Sequence, residues 1–341
     1  MKTMTSKICF RKLKIVILLV LLVLPLFVFP TKLTDMAGRK VDVPASPKRL
    51  VPYDAKTSIL VFPCAGSKLL AKGMISGTRF LPYLSEEYKQ LPTVDIKNLE
   101  NVLSFQPDLI IAGAFLPEDP LEKFDKLQSK AGIPVVVVDL SLDKLDETYR
   151  FLAELLQADA ACEPLISYLQ RVYQQVNELK GRKSLSDVSV YYTLGADGLM
   201  TDPSGSRHTE VLDYLAVPIA AKIPLPSGGH AQVNLEQIIA WNPDYIFATA
   251  FKGDSNPAER ILSNPAWKSI KAVQTKKVYV VPGEPYGWFD HPPTVNRICG
   301  LIWLSELFYD YSPEQAKADI KLFYRLFYQY DLKDTELTEM M

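Results

Sequence analysis

Two kinds of apolar run alternate along the chain. Short unbroken blocks, such as Leu109-Ile110-Ile111-Ala112, the four valines between Ile133 and Asp139, and Tyr245-Ile246-Phe247-Ala248, read as strands covered on both faces, the mark of a parallel sheet. Longer stretches in which apolar residues return every three or four positions read as amphipathic helices, as over Leu142–Gln157 and Ala160–Lys180. Further helices are expected over Thr57–Leu70, Pro120–Lys130, His208–Leu215, Ile261–Ile270, Thr294–Phe308 and Pro313–Tyr330. Strands are expected at Arg49–Tyr53, Lys72–Ser76, Val188–Thr193 and Lys277–Val281, with a hairpin over residues 33–44. This βαβα order predicts an α/β protein with doubly wound sheets.

One segment occurs twice. Residues 98–115 read NLENVLSFQPDLIIAGAF and residues 234–251 read NLEQIIAWNPDYIFATAF, with nine of 18 positions identical. Each copy runs from Asn-Leu-Glu through a short helix and a Pro-Asp turn into a buried strand. The proline ends the helix because it lacks a donor and restricts the residue before it. A long period met only twice predicts two related lobes rather than a solenoid. The expected division is a signal or anchor segment over 1–30, an N-terminal lobe over 31–158, a bridging helix over 159–182 and a C-terminal lobe over 183–341. A helix of some 20 residues spans roughly 30 Å and makes a stiff strut between lobes that clamp a ligand in the cleft between them.

Charge and ends narrow the function classes. Lys2, Lys7, Arg11, Lys12 and Lys14 precede an apolar run from Ile15 to Phe29, the layout of an export signal. At 15 residues the run is short for a membrane span, although retention as an uncleaved anchor is the alternative. Without residues 1–30 the chain keeps 33 basic against 39 acidic residues, a balance that argues against a nucleic-acid footprint. With Cys9 lying in residues 1–30, three of the four cysteines would remain, Cys64, Cys162 and Cys299, far apart in sequence and odd in number. They indicate neither a disulfide framework nor a zinc knuckle and read as buried small apolar residues.

Ligands of doubly wound sheets sit beyond the carboxyl ends of the strands. The loops there offer Tyr53, Arg79, Phe115 and Phe251, and, in the aromatic loop 282–297, Tyr286, Trp288, Phe289 and His291. Glycine, proline and charged residues around these aromatics favour a place at the cleft as much as in the core. Ser227-Gly228-Gly229-His230 allows close backbone approach and adds a potential metal ligand. Asp202–His208 feeds a helix N-terminus, where Arg207 adds an anion-holding cation, an ordinary capped helix being the plainer reading. All three histidines lie in the second half of the chain, so a metal site shared by both lobes would lack first-lobe imidazoles. No nucleophile elbow, phosphate loop, His-Glu-x-x-His or dinucleotide fingerprint is present.

DMAGRKVDVPASPKRLV (35–51), the two repeats, DGLMTDPSGSRHTEVLDYLA (197–216) and GWFDHPPTVNRICGLIWLSELFY (287–309) together resemble the helical-backbone (class III) substrate-binding proteins of ABC importers. That group captures ferric siderophores, haem and cobalamin. The resemblance covers about residues 33–330. It implies an exported, monomeric receptor, periplasmic or at the cell surface, that is not an enzyme and has no resident cofactor. Its ligand would be a ferric chelate, and its partner a permease dimer with a cytoplasmic ATPase. It further implies that Glu100 and Glu236 meet arginines of the permease, and that His230 and Tyr286 complete the coordination of iron. Where such relatives carry Arg beside the Pro-Pro pair, this chain has His291. Cobalamin, haem or a nickel chelate are alternative cargoes, and a chelatase-like enzyme on the same fold is the alternative of a different class.

Overall fold

The computed structural model describes residues 30–341 apart from 75–80, 118, 196, 226–229 and 250–255. Twelve strands occur among the described residues: β1 (Thr31–Thr34), β2 (Lys40–Val43), β3 (Leu50–Pro52), β4 (Lys72–Gly73), β5 (Thr93–Val94), β6 (Leu109–Ala114), β7 (Val135–Asp139), β8 (Val190–Leu194), β9 (Met200–Thr201), β10 (Ala231–Gln232), β11 (Tyr245–Thr249) and β12 (Val278–Val280). The helices used below are α1 (Ala55–Ala65), α2 (Leu99–Ser104), α3 (Glu122–Ala131), α4 (Leu145–Leu156), α5 (Asp159–Lys180), α6 (Glu210–Tyr214), α7 (Leu235–Trp241), α8 (Pro257–Ser263), α9 (Arg297–Tyr309), α10 (Pro313–Phe323) and α11 (Asp334–Met340).

Two sheets make two lobes. The first has strand order β3-β6-β7, all parallel; the second has order β10-β9-β8-β11-β12, parallel across β8, β11 and β12 and antiparallel at its β9 and β10 edge. Every residue of β6, β7 and β8 is buried, as unbroken apolar runs require. Helix α5, 22 residues long, joins the lobes, and its apolar stripe from Leu165 to Val176 lies in the core that both lobes share.

The repeat builds the same joint in each lobe. Asn98 and Asn234 cap α2 and α7, accepting from the amides of Asn101 and Gln237. Each helix ends in a left-handed residue, Gln106 or Asn242, just before the proline. The aspartate that follows then grips the entry of the neighbouring strand. Asp108 accepts from the amides of Lys48 and Arg49 at 2.8 and 3.0 Å, and Asp244 from that of Ser189 at 2.9 Å. The retained Pro-Asp is thus a strand-pairing device.

Elsewhere the elements depart from the periodicity. The helix expected over Ile261–Ile270 stops at Ser263, because Asn264 closes α8 and caps a short 3₁₀ turn opened by Pro265. Helix α9 begins at Arg297 rather than at Thr294; residues 294–296 turn first, with the Asn296 side chain accepting from the Thr294 amide. The last long helix loosens into a π turn over Tyr324–Tyr328, followed by α11, which the periodicity did not indicate.

Candidate functional site

The three histidines come together on the C-terminal lobe. Ring centroids lie 4.6 Å apart for His208 and His230 and 5.8 Å apart for the other two pairs. Different elements deliver each ring. His230 precedes β10, whose register with β9 sets it across from Asp202. His208 lies in the turn before α6, where its amide donates to Ser206 Oγ. His291 lies within the aromatic loop at φ +58°, a left-handed backbone uncommon for a side chain of its size and a mark of functional loops.

Buried carboxylates aim all three rings. Asp202 accepts from His230 Nδ1 at 2.6 Å and from Ser206 Oγ at 3.2 Å. Asp290 holds two rings at once, His208 Nδ1 at 2.7 Å and His291 Nδ1, and accepts as well from the Tyr192 hydroxyl at 3.0 Å. An ionised carboxylate can only accept, so Nδ1 carries the hydrogen and Nε2 becomes the lone-pair nitrogen, the arrangement by which proteins orient metal-binding imidazoles. The carboxylates are buried, whereas the His side chains keep 15–30% of their surface exposed. Burial pushes Asp290 up, but its hydrogen bonds to His208 and His291 outweigh this and hold it below the usual carboxylate range. For His291, burial works against the charged ring, yet Asp290 and then Asp202 raise its pKa above the ordinary value. Among the described residues, no group of three or more His, Cys, Asp or Glu side chains is arranged to hold a metal ion by itself.

The loop that presents Asp290 and His291 is bolted from behind. A Cβ on Gly287 would stand 2.3 Å from the Asp290 carbonyl oxygen, and one on Gly300 of α9 would stand 2.2 Å from that of Trp288. Only glycine permits either approach. Asn296 Nδ2 donates to the carbonyl of Gly287.

The histidines flank the seam between lobes. Phe115, at the end of β6, lies under the Arg207 guanidinium at 4.7 Å, with Arg297 at 5.4 Å and Lys56 at 5.5 Å from the same ring. Arg207 also pairs across the seam with Asp119 at 3.1 Å. Burial would raise Asp119, but the Phe115 amide, Arg207 and Lys123 together bring it below its ordinary value. Arg297 pairs with Glu210 and donates to the Leu140 carbonyl; burial pulls its guanidinium down to about 9, still a cation at neutral pH.

The sequence-derived candidates divide. His230, Arg207 and Phe115 lie at the seam or beside it. Tyr53 instead packs edge-on to Phe124 and lines a cavity of about 300 Å³ with Lys97, Lys123, Lys126 and Lys130. Tyr286 and Trp288, expected as cleft aromatics, are core residues. Tyr286 is buried against Tyr328 with its hydroxyl at Tyr88, and Trp288 is buried against Trp303 with Nε1 donating to the Tyr324 hydroxyl. Tyr286 therefore does not join His230 as a second ligand; these rings fix the loop to α9 and the π turn. Arg79 and Phe251 lie outside the described residues, as do the signal segment and Gly228-Gly229. Glu100 and Glu236 are exposed in the first turns of α2 and α7. Missed by sequence reading were the grouping of His208 and His291 with His230 and the anchoring role of Asp202 and Asp290. The only signal was an aspartate close before His208 and another directly before His291.

Two α/β lobes joined by one long helix, with a polar cluster beside their seam, define a ligand-capturing receptor of the helical-backbone class. The family model described as "periplasmic binding protein" matches residues 72–285, and the chain belongs to that family of exported ABC-transporter binding proteins. The molybdate-binding protein MolA of Haemophilus influenzae is 23% identical over 88% of this chain and 92% of its own length. The Fe(3+)-citrate-binding protein YfmC of Bacillus subtilis is 26% identical over 70% of this chain and 75% of its own. An ABC transporter solute-binding protein from Sulfurospirillum deleyianum superposes with a TM-score of 0.80 at 25% identity, covering 91% of this chain and 98% of that structure.

Proposed function

We propose that this protein captures a metal chelate, with an iron chelate of the siderophore type as the leading cargo, and hands it to an ABC permease dimer driven by a cytoplasmic ATPase. The observation that carries the reading is the imidazole trio whose Nδ1 atoms are all held by Asp202 and Asp290. Such rings offer Nε2 lone pairs to a metal, and imidazole suits iron, nickel, copper and zinc. The trio is not arranged as a closed ion site. It suits a ligand that brings its own donors and leaves coordination positions open. His230 remains the metal-ligand candidate, now with His208 and His291 in place of Tyr286, while Arg207 and Phe115 at the seam supply charge and a flat contact.

For delivery, Glu100 and Glu236 are the docking candidates. Capping is done by Asn98 and Asn234, so neither glutamate is needed for that task. One turn on, each helix exposes a large apolar residue at the equivalent repeat position, Leu103 at 44% and Ile239 at 38%. An acid beside an apolar knob on each lobe suits two equivalent patches on a two-fold partner, with arginine as the charge-assisted mate.

A second reading rests on the raised pKa of His291 and on the cation of Arg207, the residue before His208: protonated, these groups would donate to an oxyanion. Calorimetric titration across pH with ferric citrate, a tetradentate ferric catecholate and molybdate separates the two. Lone-pair ligation tightens as pH rises through the His291 pKa, because the proton competes with the metal. Oxyanion binding weakens over the same range. Tightening for the ferric probes supports the chelate reading, and molybdate binding that fades with pH, without ferric binding, overturns it.

A further inference from the structure

Positive charge without a carboxylate partner collects at one place on the N-terminal lobe. Lys123, Lys126 and Lys130 stand at positions i, i+3 and i+7 of α3 and so share one face of it. That face and Lys97, in the turn before α2, rim the cavity of about 300 Å³ that Tyr53 lines. Its floor is apolar, made by Leu99 of α2, Leu127 of α3 and the Tyr53 ring, all half-buried. The four lysines are exposed, and none of them makes an ion pair among the described residues. Nearby carboxylates are engaged elsewhere: Asp125 with Arg39 at 2.9 Å, Asp119 with Arg207 at 3.1 Å and Asp95 with the Lys97 amide at 3.0 Å. Glu100 and Glu122 are exposed on the first turns of α2 and α3. Like charges three and four positions apart repel along a helix, and a half-buried apolar floor left open to water is unfavourable. A solvated lysine face needs no such floor, and an acidic partner with an apolar anchor would relieve both costs.

The hollow adjoins the docking patch. Lys97 and Leu99 flank Asn98, the cap of the helix that carries Glu100 and Leu103. The other lobe has no equivalent. At the repeat position of Lys97 it has Val233, which is buried, and the helix that follows its repeat strand, α8, carries Glu259 and Arg260 but no lysine. The two patches therefore match in their acid and apolar knob and differ in the lysines. We propose that the lysine-rimmed hollow receives an acidic segment of the permease's outer face, with carboxylates on the ammoniums and one apolar side chain on the floor. This makes the N-terminal lobe the stronger of the two docking lobes. The inference rests on the permease-docking reading above and adds to it a contact of opposite charge beside Glu100. Adjacent contacts of opposite sign penalise shifted dockings, because each shift brings like charges together.

The test measures binding of the full-length receptor to the intact importer, permease with ATPase, in nanodiscs of zwitterionic lipid. Lys123→Gln/Lys126→Gln/Lys130→Gln is compared with Lys222→Gln/Lys268→Gln/Lys276→Gln, which removes the same charge from exposed positions of the C-terminal lobe. The α3 variant should bind about ten-fold more weakly at low salt, the control should bind like the natural protein, and the gap should close as salt rises. Calorimetry should show cargo affinity unchanged in both, with matching circular dichroism spectra. Equal binding by the two variants overturns the proposal. If Glu100→Arg/Glu236→Arg abolishes binding at the same time, the docking reading stands without the hollow; if the natural receptor does not bind the importer, both fall. Vesicles of anionic lipid without importer give the remaining arm. Retention of the natural protein on them, lost in the α3 variant, would assign the lysines to the membrane surface and overturn the permease contact.

Discussion

At the scale of the residue, the carboxylates govern the site more than the rings they hold. Asp290 anchors two histidines and a tyrosine, so Asp290→Asn keeps the shape but loses the acceptor that sets two tautomers. Loss of such a partner costs metal affinity about 10–100-fold. Titration with the chelate that binds the natural protein should show that loss with a circular dichroism spectrum unchanged; undiminished affinity would reduce Asp290 to a structural role. The same pair makes the unliganded fold sensitive to pH. His291 has a folded pKa above its unfolded value, so its stabilising contribution is complete below about 6.5 and is lost as pH rises through the folded pKa. Asp290 behaves oppositely, contributing above its unfolded pKa and losing that contribution as pH falls through its lowered folded pKa. Thermal midpoints should therefore decline more steeply above pH 6.5 for the natural protein than for His291→Gln. Parallel curves would show that the ring gains nothing from Asp290.

At the scale of the element, the repeat contains residues retained for two different reasons. Asp108 and Asp244 hold strand entries through backbone amides, and Asp108→Ala or Asp244→Ala gives up those hydrogen bonds, at a cost of about 0.5–1.5 kcal/mol each because water can reach the freed amides. Glu100→Arg with Glu236→Arg touches exposed first turns and should shift urea stability by no more than about 1 kcal/mol, from loss of the favourable helix dipole interaction. In a reconstituted importer, however, the double reversal should abolish ligand-dependent transport with affinity intact. Transport that survives while the melt falls would leave the glutamates with a helix-dipole role only and put the docking surface elsewhere. The aromatic loop makes the contrast from another side. Gly287→Ala forces a methyl group into the Asp290 carbonyl and should destabilise by about 1–3 kcal/mol. Because Asp290 and His291 ride on that loop, binding should weaken with it; full affinity in the variant would mean that the loop carries no ligand contact.

At the scale of the whole molecule, the joints resist large motion. Helix α5 is built into the common core, and the seam is crossed by Arg207 to Asp119, by Arg297 to the Leu140 carbonyl and by the Thr294 hydroxyl to the Lys56 carbonyl at 3.2 Å. Closure by a freely bending hinge would have to break these. X-ray scattering curves with and without the ferric probe should nearly superimpose, and a marked compaction on binding would sink the strut picture.

Local order in the sequence determined the α/β class, the two related lobes, the long helix and most strands, since unbroken apolar blocks, Asn caps and Pro-Asp turns act within a few residues of themselves. It did not determine where α8 ends or α9 begins, where Asn264-Pro265 and the turn at 294–296 override the periodicity. Nor could it assign the aromatics of residues 286–289 to core or cleft, because a tyrosine in a glycine-rich loop carries the same local signal in both places. Only the tertiary structure decided that Tyr286 and Trp288 are packing while His208, His230 and His291 face one another. The physical reason is that strand register, a left-handed turn and one shared aspartate bring together rings separated by up to 83 positions of chain.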